Sequence, residues 1–106
     1  MGKTDPEQNI LQDLREHRRV SVTWDARVRH EEDEAECQIL DVSLTGIGIQ
    51  LESELKPGIE IELDITDIGV LAGKVVWSMS GRAGILLSSN PDTIRATLFS
   101  RARQEA

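Results

Sequence analysis

The stretch VSVTWDARVR, residues 20–29, alternates apolar and polar side chains from its first position to its last. Alternation with a period of two is typical of a β-strand that buries one face and exposes the other. We therefore predict a strand here, with Trp24 as its largest core residue. The inward-facing side chains are expected to be Val20, Val22, Trp24, Ala26 and Val28.

The same period continues on the C-terminal side of this stretch. Five further strands are predicted around residues 35–39, 47–51, 59–65, 68–78 and 82–88. An acidic loop at 31–34 is expected between the first two strands, and Pro and Gly residues favour turns at 56–58 and 80–81. Six short strands with hairpin-length connections indicate a closed antiparallel barrel or a compact sandwich.

Helical spacing flanks the strands on both sides. A short N-terminal helix is predicted from Asp5 and Pro6, which suit a helix start, and from apolar residues at 10, 11 and 14. After Asn90 and Pro91, apolar residues recur at 94, 98 and 102, as in a helix with one buried face. This C-terminal helix is expected to cover one open side of the β-structure.

The bulk composition narrows the possible functions. At 106 residues a single domain is expected, and the lone Cys37 forms neither a disulfide framework nor a cysteine metal cluster. A net charge of −7 argues against general nucleic-acid binding, which needs a basic surface. No apolar run approaches the roughly 18 residues of a membrane span, so we expect a cytoplasmic protein without membrane insertion.

A basic segment, REHRR, lies just before the first strand at residues 15–19. It carries Arg15, Arg18 and Arg19, whose planar guanidinium groups can pair with a phosphate or with the N7 and O6 acceptors of guanine. As an alternative, the segment is only a solvated basic patch at a helix end.

A second polar segment, DVSLTG, occupies residues 41–46. The carboxylate of Asp41 can accept hydrogen bonds from the N1–H and N2–H₂ edge of guanine, or it can orient an arginine. The hydroxyl of Ser43, two residues further on, is expected on the same face, and Gly46 would let a ligand approach the backbone. As an alternative, the segment is an ordinary tight turn capped by Asp41.

Together, Arg15-x-x-x-Arg19 and Asp41-x-Ser43-x-x-Gly46 resemble the two hallmark motifs of the PilZ domain family. These motifs are RxxxR ahead of the first strand and D/NxSxxG between the second and third strands. GKVVW at 73–77 and the strand 84–87 are also similar to later strands of the family. The resemblance implies an N-terminal helix and flexible arm over residues 1–19, and a six-stranded antiparallel β-barrel with a C-terminal helix over residues 20–106.

The resemblance also implies a function. PilZ domains are receptors for cyclic di-GMP, a bacterial second messenger that controls outputs such as motility or biofilm formation. The ligand-binding residues implied are Arg15, Arg19, Asp41, Ser43 and Gly46. Ligand binding would order the arm and alter contacts with a downstream effector protein. No catalytic activity, metal or cofactor is implied, and we expect a monomer.

Further residues bear on the details of this site. Leu14 stands where many members of the family carry another arginine, which favours one ligand per site unless Arg18 compensates. Trp77 can stack on a purine or on an arginine plane. As an alternative, its indole belongs to the core, where Trp24 is expected.

Other classes of function fit less well. The groups available to an enzyme are Asp41, Ser43, Cys37, His17 and His30. They stand in no recognised catalytic or metal-binding spacing. An OB-type or cold-shock barrel needs several base-stacking aromatics in a basic groove, whereas this chain has 2 Trp, 1 Phe and no Tyr.

The main alternative is a PilZ-like adaptor that contacts a partner protein without binding the nucleotide. One possible partner surface is the side of the C-terminal helix that carries Arg95, Arg101 and Arg103. Adaptors of this kind usually lack a hallmark residue, and this chain keeps all of them.

Overall fold

The computed structural model describes residues 19–90, 92–94 and 96–98. Over these residues, six antiparallel strands close into a barrel in the order β1-β2-β3-β6-β5-β4. The strands are β1 (Val20–His30), β2 (Asp33–Val42), β3 (Gly46–Gln50), β4 (Glu60–Ile65), β5 (Gly69–Met79) and β6 (Arg82–Leu87). Of the two architectures that the pattern allowed, the barrel is confirmed and the sandwich is wrong.

The first strand closes the barrel. β1 pairs with β2 along its length and with β4 through Ala26–Arg29, so the first and fourth strands become neighbours. Its predicted inward face is largely as expected, and Trp24, with 1% of its surface exposed, is confirmed as a core residue. Val22 is only partly buried, because the register of β1 against β2 shifts between Ser21 and Trp24.

The acidic loop predicted at 31–34 is shorter than expected. Only Glu31 and Glu32 lie in the turn, and β2 already begins at Asp33. Glu34 pairs with Arg29 across the two strands, and its carboxylate accepts a hydrogen bond of 3.0 Å from Nη1 of Arg27. The arginines of β1 therefore stabilise the acidic residues in a strand, a cross-strand effect that the local sequence does not reveal.

A short C-terminal helix follows the barrel, as predicted, and residues 92–94 and 96–98 of it are described. Asn90 caps it, since the backbone N–H of Asp92 donates to Oδ1 of Asn90 over 2.8 Å. Ile94 and Leu98 from this helix are buried in the hydrophobic core.

Some predictions concern residues outside the described ones. These are the N-terminal helix, Arg15, Arg18 and the partner surface with Arg95, Arg101 and Arg103. Within the described ranges, no helix is long and apolar enough to cross a membrane.

Candidate ligand-binding site

Arg19 and Asp41, one from each polar segment, meet at one end of the β1–β2 pair. Arg19 directly precedes β1, and antiparallel pairing brings the start of β1 beside the end of β2, with Ser21 opposite Asp41. Nε of Arg19 donates to Oδ1 of Asp41 over 2.8 Å, and Nη2 lies 2.5 Å from the same oxygen. The side chains are 54% and 33% exposed, so this ion pair is accessible to a ligand.

The ion pair leaves polar atoms available on both partners. Both contacts use Oδ1 of Asp41, while Oδ2 lies over the backbone of Gly48, 2.6 Å from the position a Cβ would take there. Nη1 of Arg19 lies near Gly46, 3.6 Å from the position that a Cβ on Gly46 would take. Oδ2 can accept a further hydrogen bond and Nη1 can donate one, so the ion pair offers a ligand both an acceptor and a donor.

Two β-bulges turn Asp41 and Trp77 outward. Cys37 and Ile39 of β2 face the core, so strict alternation would also point Asp41 inward. The register of β2 against β3 shifts between Ile39 and Asp41, and the extra residue reverses the side on which Asp41 lies.

A second β-bulge has the same effect in β5. Leu71, Gly73 and Val75 face inward, and the register against β6 shifts between Val75 and Trp77. Trp77 is therefore 46% exposed on the outer face. The alternative that its indole belongs to the core is wrong.

Asp41 and Trp77 stand at the two ends of one row across the barrel. In the strand registers Asp41 is opposite Gly48, Gly48 is opposite Gly84, and Gly84 is opposite Trp77. The row crosses β2, β3, β6 and β5 in turn, and we call these four residues the glycine row. Because its two central members have no side chains, the carboxylate and the indole lie directly against their backbone, and both glycines are buried.

Ser43 does not lie on this outer face, which corrects the expectation that it points the same way as Asp41. It is 2% exposed, and its hydroxyl is occupied within the turn that joins β2 to β3. The hydroxyl accepts from the backbone N–H of Gly46 over 3.0 Å and donates to the carbonyl of Gly46, also over 3.0 Å. The reason is that β2 ends at Val42, so the two-residue repeat no longer applies at Ser43.

Gly46 is the first residue of β3 and lies where that strand closely approaches its neighbours. A Cβ at this position would come within 3.0 Å of the carbonyl oxygen of Ile85 on β6. Its φ angle is not in the left-handed region, so the position does not require glycine for backbone conformation. The absence of a side chain keeps the approach to Arg19 and to β6 open.

Cys37, one of the groups available to an enzyme, is buried in the barrel. Burial raises the pKa of its thiol to about 11, because the charged thiolate would lose its hydration. The thiol is therefore neutral at physiological pH, and a neutral thiol is a poor nucleophile.

The sequence reasoning missed Gly48 and Gly84 as members of the site. A signal was available: both glycines occupy outward positions in otherwise apolar strands, where glycine is disfavoured unless another group approaches closely. Of the residues predicted to bind the ligand, the structure brings Arg19, Asp41 and Gly46 together and places Trp77 in the same register row as Asp41.

Comparison with known proteins gives related folds. The barrel is similar to the PilZ domain of CeSA from a cellulose-synthesising bacterium, with 13% identity, a TM-score of 0.64 and coverage of 78% of this chain and 97% of that one. It is also similar to the PilZ domain of YcgR from Escherichia coli, solved with c-di-GMP, with 16% identity, a TM-score of 0.62 and coverage of 82% and 89%.

A third similar structure is an uncharacterised protein from Legionella, with 14% identity, a TM-score of 0.53 and coverage of 82% of this chain and 95% of that one. No curated protein matches the sequence significantly. The sequence itself matches the PilZ domain family over residues 13–100, which includes both polar segments and all six strands. The chain therefore belongs to the PilZ domain family.

Proposed function

We infer that this protein is a receptor for cyclic di-GMP, and that the ligand binds over the Arg19–Asp41 ion pair and the glycine row. The observation that carries the proposal is the meeting of Arg19 and Asp41, which come from two separate motifs of a PilZ domain. The similar PilZ domain of YcgR, solved with c-di-GMP, supports the choice of ligand.

The chemistry of the exposed groups suits a guanine dinucleotide. Oδ2 of Asp41 would accept from the N1–H and N2–H₂ groups of a guanine, an edge that adenine does not offer. The guanidinium of Arg19 would donate to a phosphate or to guanine O6 and N7. The exposed face of Trp77 would stack on a base, an interaction worth about 1–3 kcal/mol.

The remaining motif residues complete the proposal. Arg15 would be the second arm of the phosphate clamp, and Arg18 an additional contact. Ser43 and Gly46 would form the wall of the site by holding the turn between β2 and β3. Ligand binding would order residues 1–19 over residues 20–106 and change the surface offered to a downstream effector in the bacterial cytoplasm, with one ligand per monomer.

Isothermal titration calorimetry with cyclic di-GMP tests this function. We expect saturable binding by the wild-type protein and a loss of roughly thirtyfold or more in Arg19→Ala, because a charge-assisted hydrogen bond is worth about 2 kcal/mol. Arg15→Ala should weaken binding similarly. Cyclic di-AMP should not compete, because adenine lacks the edge that Asp41 recognises.

Arg27→Ala is the matched control. The Arg27 side chain is 56% exposed, close to the 54% of Arg19, and also forms an ion pair with a carboxylate, that of Glu34. The affinity of the Arg27→Ala protein for cyclic di-GMP should equal that of the wild type. A folded wild-type protein that gives no binding heat and no change in any spectroscopic signal with cyclic di-GMP would contradict the receptor function.

The adaptor function is supported by a different observation. Among the described residues, the large apolar side chains that are exposed all belong to β5 or β6, namely Val70, Val76, Trp77, Met79 and Leu86. Clustered exposed apolar side chains are typical of protein interfaces. If this function holds without ligand binding, Val76→Asp should abolish partner binding, while Arg19→Ala should leave it unchanged.

A further inference from the structure

The two glycines of the glycine row are not required by the backbone. Glycines with left-handed φ angles occur at Gly58, Gly69 and Gly81, whereas Gly48 and Gly84 have φ angles that any residue adopts. Both lie inside strands, where glycine has no side chain to pack and loses more conformational entropy on folding than other residues. Their presence needs another physical reason.

At Gly84 the reason is the indole of Trp77. A Cβ at position 84 would lie 2.7 Å from both Cδ1 and Cε2 of Trp77, and still closer to Nε1. These are three atoms of the five-membered ring, so this ring lies against the backbone of Gly84. One face of the indole is thus supported by β6, and its 46% exposure leaves room for a ligand on the outer side.

At Gly48 the reason is the carboxylate of Asp41. A Cβ there would lie 2.6 Å from Oδ2, 3.0 Å from Oδ1 and 3.1 Å from Cγ. The carboxylate therefore rests on β3, and Arg19 holds it through Oδ1. Since Gly48 and Gly84 are opposite each other in the paired strands β3 and β6, the two functional groups rest on neighbouring positions of the sheet.

We propose that Gly48 and Gly84 are positioning residues that let the carboxylate of Asp41 and the indole of Trp77 lie against the barrel, where these two groups form a low surface for a planar purine ring. This inference rests on the proposed function and deepens it, since it explains how the site selects a flat heteroaromatic base. A methyl group at either position would displace the group that rests there, the indole at Gly84 or the carboxylate at Gly48.

The test for Gly84 uses the ligand-free protein first. Trp24 is 1% exposed, so iodide, which does not enter protein cores, quenches mainly the fluorescence of Trp77. Gly84→Ala should lift the indole and increase iodide quenching. Unchanged quenching in a folded Gly84→Ala protein would overturn the proposal for Gly84, whether or not the wild type binds cyclic di-GMP.

Titration with cyclic di-GMP then measures the effect on the site. We expect Gly84→Ala to lose roughly tenfold or more in affinity, the effect of losing one base–aromatic stack. In a Trp77→Ala background, Gly84→Ala should cause no further loss, because there is no indole left to position. If the double variant instead lost affinity by the product of the two single-variant factors, the inference would be contradicted. No binding by the wild type would instead refute the proposed function and leave the quenching result standing.

Folding of the variants is itself informative. If Gly84→Ala fails to fold, the added methyl group clashes with the indole, and Trp77→Ala in the same chain should restore folding. A double variant that stays unfolded would overturn the proposal. Gly48→Ala is tested in the same way against Asp41→Ala: a roughly tenfold loss of affinity in the wild-type background and none in the Asp41→Ala background is expected.

Discussion

Asp41 and Ser43 belong to the same short motif, yet their side chains serve different purposes. The Asp41 carboxylate is partly exposed and lies against Gly48, whereas the Ser43 hydroxyl is buried and holds the turn before β3. Arg19 contributes to the first of these environments only. One residue of the motif is thus placed to contact a ligand, while the other stabilises the fold.

Ser43→Ala should destabilise the fold. The variant leaves the buried N–H of Gly46 without the hydroxyl as its acceptor, which typically costs about 1–3 kcal/mol. For a domain of this size, thermal denaturation should show a decrease in Tm of roughly 4–8 °C per kcal/mol.

Asp41→Ala is the paired comparison for Ser43→Ala. It should change the unfolding free energy by less than about 1 kcal/mol, because its ion pair with Arg19 is partly solvated. The same variant should bind cyclic di-GMP more weakly than the wild type. If Ser43→Ala proved as stable as the wild type, the hydroxyl would not be the group that holds the turn.

At the scale of the strands, sequence reasoning was most accurate where alternation was unbroken. The five strands after VSVTWDARVR were found within a few residues of their observed bounds, since their inward apolar residues repeat every second position. The β-bulges could not be predicted, because an extra residue in one strand is defined only against its neighbour. Asp41 and Trp77 both follow such a bulge, so their orientation was the least predictable part of the site.

The hairpin between β5 and β6 offers a prediction at this scale. Its two-residue loop consists of Ser80 and Gly81, with φ angles of 52° and 79°. Two successive left-handed residues favour Asn-Gly, because asparagine tolerates this conformation better than serine. Ser80→Asn should therefore increase the unfolding free energy by up to about 1 kcal/mol, measured by chemical denaturation.

Gly81→Ala provides the opposite change in the same loop. Alanine at a left-handed φ is strained, so this variant should lose about 1 kcal/mol or more. Equal stabilities of Ser80→Asn, Gly81→Ala and the wild type would mean that the loop conformation in solution differs from the one described.

At the scale of the whole molecule, the buried thiol of Cys37 makes stability depend on alkaline pH. Burial raises its pKa in the folded protein from 9.0 to about 11, so between these values the unfolded chain has lost a proton that the folded chain retains. The free energy of unfolding should therefore decrease as pH rises from about 9 to about 11, by roughly 1 kcal/mol per pH unit.

Cys37→Ala separates this effect from other titrations. The variant lacks the thiol, so its stability should depend less steeply on pH over the same interval, although removal of a core side chain lowers its absolute stability. Parallel pH profiles of the two proteins would show that the thiol titrates equally in the folded and unfolded chains.

The global arrangement was also predictable in part. Motif order identified the family, and period-two patterning limited the fold to two architectures, but strand order across the sheet depends on pairings between distant residues such as Ala26 and Ile65. The same holds for the glycine row: Asp41 and Gly48 belong to one hairpin, Trp77 and Gly84 belong to another, and the two halves meet only where β3 pairs with β6.

Closure of the barrel constrains how a partner protein could bind to it. Each of the six described strands has hydrogen-bonded neighbours on both sides for at least part of its length, so the barrel offers no entire free strand edge to which a partner protein could add a strand. It must instead recognise side chains on the outer faces, where the glycine row lies. If the proposed nucleotide binds there, it would form part of the protein's outer surface and would contribute directly to any interface on that face, without a change in the shape of the barrel.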